Sequence, residues 1–381
     1  MKNVSRILPC YAADTSGVCS AMYELGGMTV IHDASGCNST YTTHDEPRWY
    51  DKRSMVFISA LTELDAIMGN DEQLISDTVS AAADLKPAFI TLCGSPMPMM
   101  TGVDFDAIAQ EIQKRSGIRT FGLHTNGTLS YISGASQAFE AIVRSFVRNT
   151  SKRVPKSVNI IGATPLDFGL SSTIESTRKW LTDCGFKVIS CLAEGSALEE
   201  IKEAATAEVN LVVSASGLTA ARYMYKYLGV PFVCGLPLGE NFPTVLCEAL
   251  FDAVKEHKII LRLPDRTSVE NEVVIIGESV YSAALAAALC CETNFRPRVI
   301  SPLTVDKEIL SEKDLDIFSE EDIEAALKEI KPQFVLADPL YAPVIPEGAK
   351  LVSLPHTAFS GRSFLNEIPD LINRPIRELT E

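Results

Sequence analysis

Short apolar runs alternate along the chain with longer stretches of amphipathic character. Met28-Thr-Val-Ile-His32, Ser54-Met-Val-Phe-Ile-Ser59 and Ala88-Phe-Ile-Thr-Leu-Cys93 are apolar and β-rich. Runs of this length predict strands buried on both faces of a parallel sheet. Between the last two, Glu72 to Leu85 carries Leu74, Ile75, Val79 and Ala82 at helical spacing, and Lys86-Pro87 ends it. Beyond Cys93 a Gly/Pro-rich loop leads to Asp104, which opens an amphipathic helix at Phe105. Strand, crevice and helix N-terminus mark the place where open α/β sheets put ligands. This reading sets the Cys93 thiol in the crevice and not against the sheet. A strand at 118–123 and a helix at 135–148 complete a first unit, while residues 1–27 show no strong periodicity.

The polar, basic segment 149–156 reads as a linker. A second unit opens with Val158-Asn-Ile-Ile-Gly162 and runs through helices at 172–184, 197–207, 218–228 and 242–257. Residues 261–267 read as a second linker. Val273-Val-Ile-Ile-Gly277 then opens a third unit, with a buried helix at 279–291 and a last helix near 363–372. Matching segments begin at Lys86, Glu208 and Lys331, steps of 122 and 123 residues. The expected fold is α/β, with three tandem Rossmann-like domains at 1–150, 151–267 and 268–381, each a parallel sheet flanked by helices.

A net charge of −15 argues against nucleic acid and anionic membranes as partners. The start lacks an apolar h-region, and no run approaches the ~18 apolar residues of a membrane span. The expectation is a cytoplasmic protein, in which the ten cysteines serve as thiols or metal ligands and not as disulfides. Gly162-Ala-Thr164 and Gly277-Glu-Ser279 follow strands but lack the further glycines of G-x-G-x-x-G, so no NAD or FAD is expected. No G-x-x-x-x-G-K-[ST] occurs, so no ATP is expected on this chain.

Cys10, Cys37 and Cys93 all lie in the first unit and are assigned to loops. Strand-end loops converge at the carboxyl edge of a parallel sheet, so distant cysteines can meet there. Thiolates are the ligands that iron–sulfur clusters require, and three leave one position for a second subunit or an open iron. Cys184, Cys191, Cys234, Cys247, Cys290 and Cys291 read as core residues.

Around these cysteines the chain resembles the nitrogenase component 1 superfamily. His32-Asp-Ala-Ser-Gly36-Cys37-x-x-x-Tyr41 is similar to its His-Gly-Pro-x-Gly-Cys loop. Thr91-Leu-Cys93 with Thr101-Gly-Val-Asp104 is similar to its Thr-x-Cys…Ile-Gly-Asp-Asp segment. Cys10, 27 residues before Cys37, stands where the first ligand is placed, and Thr62-Glu63 with Gly69 also fits. The resemblance implies an iron–sulfur cluster, 4Fe-4S or larger, held by Cys10, Cys37 and Cys93, with Cys19 as an alternate to Cys10. It implies a homodimer with the cluster at its interface, and electrons from a separate ATP-hydrolysing iron protein. The loops depart from the pattern at Asp33-Ala34 and Met100-Thr-Gly-Val. The place of the second-domain cofactor cysteine is taken by Val213-Ser214, while His356 falls near the family's histidine ligand. Dinitrogen reduction is therefore not expected.

His32 and His356 are the candidate catalytic residues; His32 also suits a backbone-orienting role. Ser214, Arg222 and Asp338 join His356 as candidate crevice-lining residues. Three readings remain open at this point. The chain is a two-component reductase acting on a small molecule, a tetrapyrrole among the options, or a scaffold for metallocofactor assembly, or a cluster-free ligand-binding module.

Overall fold

Three parallel sheets follow one another along the chain in a computed structural model that describes residues 10–34, 36, 46–170, 172–263 and 273–380. The first unit runs α1 (Asp14–Met22), β1 (Met28–His32), β2 (Met55–Ile58), α2 (Glu63–Met68), α3 (Asp71–Leu85), β3 (Ile90–Gly94), α4 (Pro96–Thr101), α5 (Phe105–Ser116), β4 (Thr120–Gly122) and α6 (Tyr131–Phe146). Its strands are ordered β2-β1-β3-β4. Every residue of β1 and β3 is buried, as apolar runs covered by helices on both faces should be. Asn70 caps α3 by accepting the Gln73 N–H, and Asp104 caps α5 by accepting the Ala107 N–H.

The second unit runs β5 (Ser157–Ile161), α7 (Pro165–Phe168), α8 (Thr173–Asp183), β6 (Lys187–Cys191), α9 (Leu198–Lys202), β7 (Val209–Val212), α10 (Leu218–Leu228), β8 (Phe232–Cys234) and α11 (Phe242–Glu256), with sheet order β6-β5-β7-β8. The third runs β9 (Val273–Ile276), α12 (Ser279–Glu292), β10 (Arg298–Ser301), β11 (Leu315–Asp316), α13 (Glu320–Ile330), β12 (Phe334–Ala337), β13 (Lys350–Ser353) and α14 (Thr357–Ser360), with order β11-β10-β9-β12-β13. The repeat seen in the sequence has a structural basis. The matching segments form β3, β7 and β12, each beside its sheet's central strand β1, β5 or β9. All pairings are parallel.

Three local expectations are corrected. Residues 14–22 form a helix, α1, although their apolar positions show no clean period; nearly all of α1 is buried, so no polar face is needed. The expected helix near 363–372 is not formed beyond a 3₁₀ turn at Leu365–Glu367. Pro369 and Pro375 interrupt the segment, and it lies extended on the second unit. There Leu371 O accepts the Gly239 N–H at 3.1 Å, and Asn373 N–H donates to Pro237 O at 2.9 Å. Of the expected linker 261–267, residues 264–267 lie outside the described set, and Leu261 and Leu263 pack on the core.

One apolar core runs through all three units; a smaller one fills the space between the first sheet and α3 and α5. Arg48 ties the first unit to the second. It bridges Glu46 at 2.6 Å and Glu24 at 2.9 Å, and donates to Ser20 O at 2.7 Å and to Ala193 O at 3.0 Å.

Candidate functional site

The carboxyl ends of β5, β9, β12 and β13 and the N-terminus of α6 come together in one crevice. After β9 and β12 the chain hands over to an acidic side chain because the next residues must satisfy the free N–H groups that open a helix. After β9, Glu278 accepts from Ala215 N (3.1 Å), Val280 N (2.9 Å) and Tyr281 N (2.9 Å). After β12, Asp338 accepts from Leu340 N at 2.9 Å, and from His356 N and Ser360 Oγ at 2.8 Å each. After β5, Asp167 of α7 accepts from Thr164 Oγ1 at 2.7 Å and from Tyr131 Oη of the first unit at 2.5 Å. Residues from all three units thus meet at Asp167.

His356 caps α14. Its Nδ1 accepts the Ala358 N–H at 3.2 Å, so the neutral ring carries its proton on Nε2. That Nε2 is buried, lacks a hydrogen-bond partner among the described residues, and lies 3.5 Å from Asp167 Oδ1. The Tyr341 hydroxyl and Thr357 Oγ1 are likewise buried without partners. Asp167, Glu278, Asp338 and His356 line a cavity of about 30 Å³, room for one or two waters. Burial, and next the Asp167 charge, push the Glu278 carboxyl above its ordinary range. Burial and the same charge raise the Tyr131 phenol. The crevice is narrow, rich in acid groups, and holds a buried imidazole N–H with no acceptor aligned to it.

The sequence-predicted residues divide. His356 and Asp338 are in the crevice. Ser214 is buried and caps a 3₁₀ turn by accepting the Ser216 N–H at 3.3 Å. Arg222 faces solvent and pairs with Asp306 and Glu308. His32 is buried at the end of β1 with Nδ1 2.8 Å from Ser59 Oγ, and it belongs to another cavity. Tyr131, Asp167 and Glu278 escaped sequence reasoning. Only Glu278 carried a signal, its place directly after the strand-ending Gly277.

The thiols separate too. Cys93 is not in a crevice loop. It lies within β3 in register with Ile31, fully buried, its side chain turned to the face covered by α1 and α6. Its neighbour there is the Cys19 thiol of α1. Cys10 is half-buried beside the third unit and donates to Ala12 O at 3.3 Å and Ala358 O at 3.4 Å. Burial pushes that thiol up to about 12. Cys37 lies outside the described residues. Among those residues no group of three or more His, Cys, Asp or Glu is arranged to hold a metal ion. The described thiols alone therefore do not fit an iron–sulfur cluster.

The family described as nitrogenase component 1 type oxidoreductase matches residues 17–338. The chain belongs to this family. A nitrogenase iron-molybdenum cofactor biosynthesis protein NifE of Clostridium pasteurianum is 26% identical over 179 residues, 46% of this chain and 38% of that one. One subunit of the light-independent protochlorophyllide reductase of Nostoc punctiforme is 25% identical over 181 residues, 45% of this chain and 36% of that one. The matches thus span less than two-fifths of either relative. The solved structure of nitrogenase Cp1 at pH 6.5 superposes with a TM-score of 0.71 at 12% identity, covering 100% of this chain and 93% of that one. That likeness establishes the nitrogenase component 1 fold, with its three parallel sheets. Among the described residues no helix is long and apolar enough to cross a membrane.

Proposed function

We propose that this nitrogenase-like chain is the substrate-holding, proton-delivering component of a two-component reductase. The observation that carries the reading is the buried His356 Nε2–H, 3.5 Å from Asp167 and turned to no acceptor. Reducing an unsaturated bond takes up a proton for each electron, and a crevice with room for only one or two waters supplies those protons through fixed groups. His356 donates the proton from Nε2 as the imidazolium, having first taken one up on Nδ1 in place of the Ala358 N–H, and is left as the neutral ring. Asp167, oriented by Tyr131 and Thr164, holds the ring through its charged or neutral form. The substrate is a small molecule, and the cavity of about 30 Å³ requires the units to part for anything larger than water.

Electrons come from a separate ATP-hydrolysing iron protein, in keeping with the absence of a phosphate-binding loop motif in the sequence. On this reading Cys10, Cys37 and Cys93 would hold an iron–sulfur cluster where two copies meet, and such a cluster would supply low-potential electrons. Such a site needs Cys37, ligands from the second copy, and a Cys93 thiol freed from the buried face under α1 and α6. Anaerobic purification is the test. We expect a brown protein with about four or more irons per dimer, lost in Cys10→Ser, Cys37→Ser and Cys93→Ser but kept in Cys19→Ser. Colourless protein with those thiols free overturns the cluster.

The similarity to a cofactor biosynthesis protein favours a second reading, a scaffold that holds a metallocofactor precursor and passes it on. Transfer of the cluster to an acceptor, with no turnover when iron protein and ATP are supplied, selects the scaffold. Turnover that falls in His356→Gln selects the reductase.

A further inference from the structure

A second and larger cavity, of about 160 Å³, lies in the first unit and shares no lining residue with the crevice. Its floor is the face of β1 that carries Met28, Val30 and His32, and Leu74 of α3 forms a wall. Met28, Val30 and Leu74 are buried apolar residues. The space is close to the roughly 150 Å³ of an engineered apolar cavity that takes a benzene ring.

The polar groups are placed unevenly around this apolar space. Asp65 and Asp77 border it. Thr62 and Asn70 donate to the Asp65 carboxylate and hold it below its ordinary range, so it is charged at neutral pH. No Lys or Arg pairs with Asp65 or Asp77 among the described residues. His32 is only 6% exposed. Its Nδ1 is fixed on Ser59 and its ring meets Phe105 edge-on at 6.2 Å, while its Nε2 has no hydrogen-bond partner among the described residues. Burial pushes this imidazole below its ordinary value, so it adds no positive charge to the cavity at pH 7.

We propose that this cavity binds a small primary amine with a compact apolar or aromatic body. The body lies against Met28, Val30 and Leu74. The ammonium group sits between Asp65 and Asp77, and the His32 ring offers one directional hydrogen bond. Anionic ligands are excluded because the border is acidic and the imidazole neutral. The assignment does not depend on the redox reading of the crevice.

Titration calorimetry on the full chain tests it with three probes of one size: benzylamine, benzyl alcohol and benzoate. We expect benzylamine to bind one to one, roughly fivefold tighter than benzyl alcohol, a modest ratio because ion pairs open to solvent are weak. Benzoate binds least. The double variant Asp65→Asn/Asp77→Asn removes the preference for the amine and leaves benzyl alcohol binding as it was. Ala81→Phe, which fills the cavity from α3, abolishes binding of both while the circular dichroism spectrum is retained. The proposal is overturned if none of the probes binds, if amine and alcohol bind equally to the unmodified chain, or if the preference survives in the double variant. Saturable binding that persists in folded Ala81→Phe places the ligand elsewhere and overturns it as well.

Discussion

Glu194, in the loop after β6, is the side chain whose ionisation is most directly readable. Burial pushes its carboxyl up to about 7; the Arg48 charge opposes this and the Glu24 charge reinforces it. A folded-state pKa above the unfolded one means that the native protein binds the extra proton. The stabilising contribution is therefore complete below about pH 4.5 and is lost as pH rises through about 7. Glu194→Gln stays neutral throughout. It should raise stability by about 2 kcal/mol at pH 8, below the roughly 3 kcal/mol that the full shift would give, and by almost nothing at pH 4. Urea unfolding at the two pH values checks this, and an equal gain at both would remove burial as the cause. At this scale the crevice was half legible in the sequence. Asp338 and His356 follow apolar β-rich runs and stood out. Asp167 and Tyr131 did not, because they come from helix starts in different units and only packing of those units brings them within 2.5 Å. Cys93 was misplaced because a thiol at the end of an apolar run reads equally as strand or loop. The Cys19 thiol beside it shows which side it takes.

Among the elements, the contact of α1 with α6 depends most on single atoms. A Cβ on Gly17 would lie 2.0 Å from Tyr131 O, and one on Gly134 would lie 1.8 Å from Asp14 O. Each glycine thus admits the backbone of the other helix, and the two crossings hold Tyr131 over the crevice and Asp14 at the turn it caps. The Asp14 carboxylate accepts the N–H groups of Asn126 and Gly127 at 2.9 and 2.8 Å. Alanine normally gains about 1 kcal/mol over glycine inside a helix. Here the collision is with backbone, which cannot rotate away, and overpacking of this kind costs about 1–3 kcal/mol or more. Gly134→Ala should therefore destabilise by about 2 kcal/mol net, seen as a lower urea midpoint with an unchanged slope; a rise in midpoint would refute the close approach. The strand pattern of all three units was legible because buried parallel strands are uniformly apolar. α1 was not, since a helix buried on nearly every side has no polar stripe to give the helical period. The C-terminal segment failed for the opposite reason: its apolar residues have helical spacing, but the prolines and the pairing of Ile372 with Leu238 hold it extended.

For the whole molecule, the homodimer proposed above must overcome the repulsion of two chains that each carry −15. Association is then favoured where exposed apolar side chains cluster, and the first unit has such a surface, with Glu63 and Asp65 on the same short helix. α2 has no buried residue; Leu64, Ile67 and Met68 are 69%, 73% and 75% exposed, and Met100 of the neighbouring α4 is 81% exposed. Exposed large apolar residues grouped on one face are uncommon on a monomer. Apolar burial is insensitive to moderate salt, whereas the repulsion between the two acidic copies is screened as the Debye length falls from about 14 Å at 50 mM to about 4 Å at 500 mM. The dimer should therefore tighten as salt is added, opposite to an interface held by ion pairs. Sedimentation equilibrium at the two salt concentrations gives the dissociation constant directly, and Met100→Glu should leave the chain monomeric at both. If added salt instead weakens the dimer, or Met100→Glu dimerises like the unmodified chain, the copies meet through some other face. The pairing of α2 and α4 then has no part in bringing two first units, and with them two sets of Cys10, Cys37 and Cys93, together.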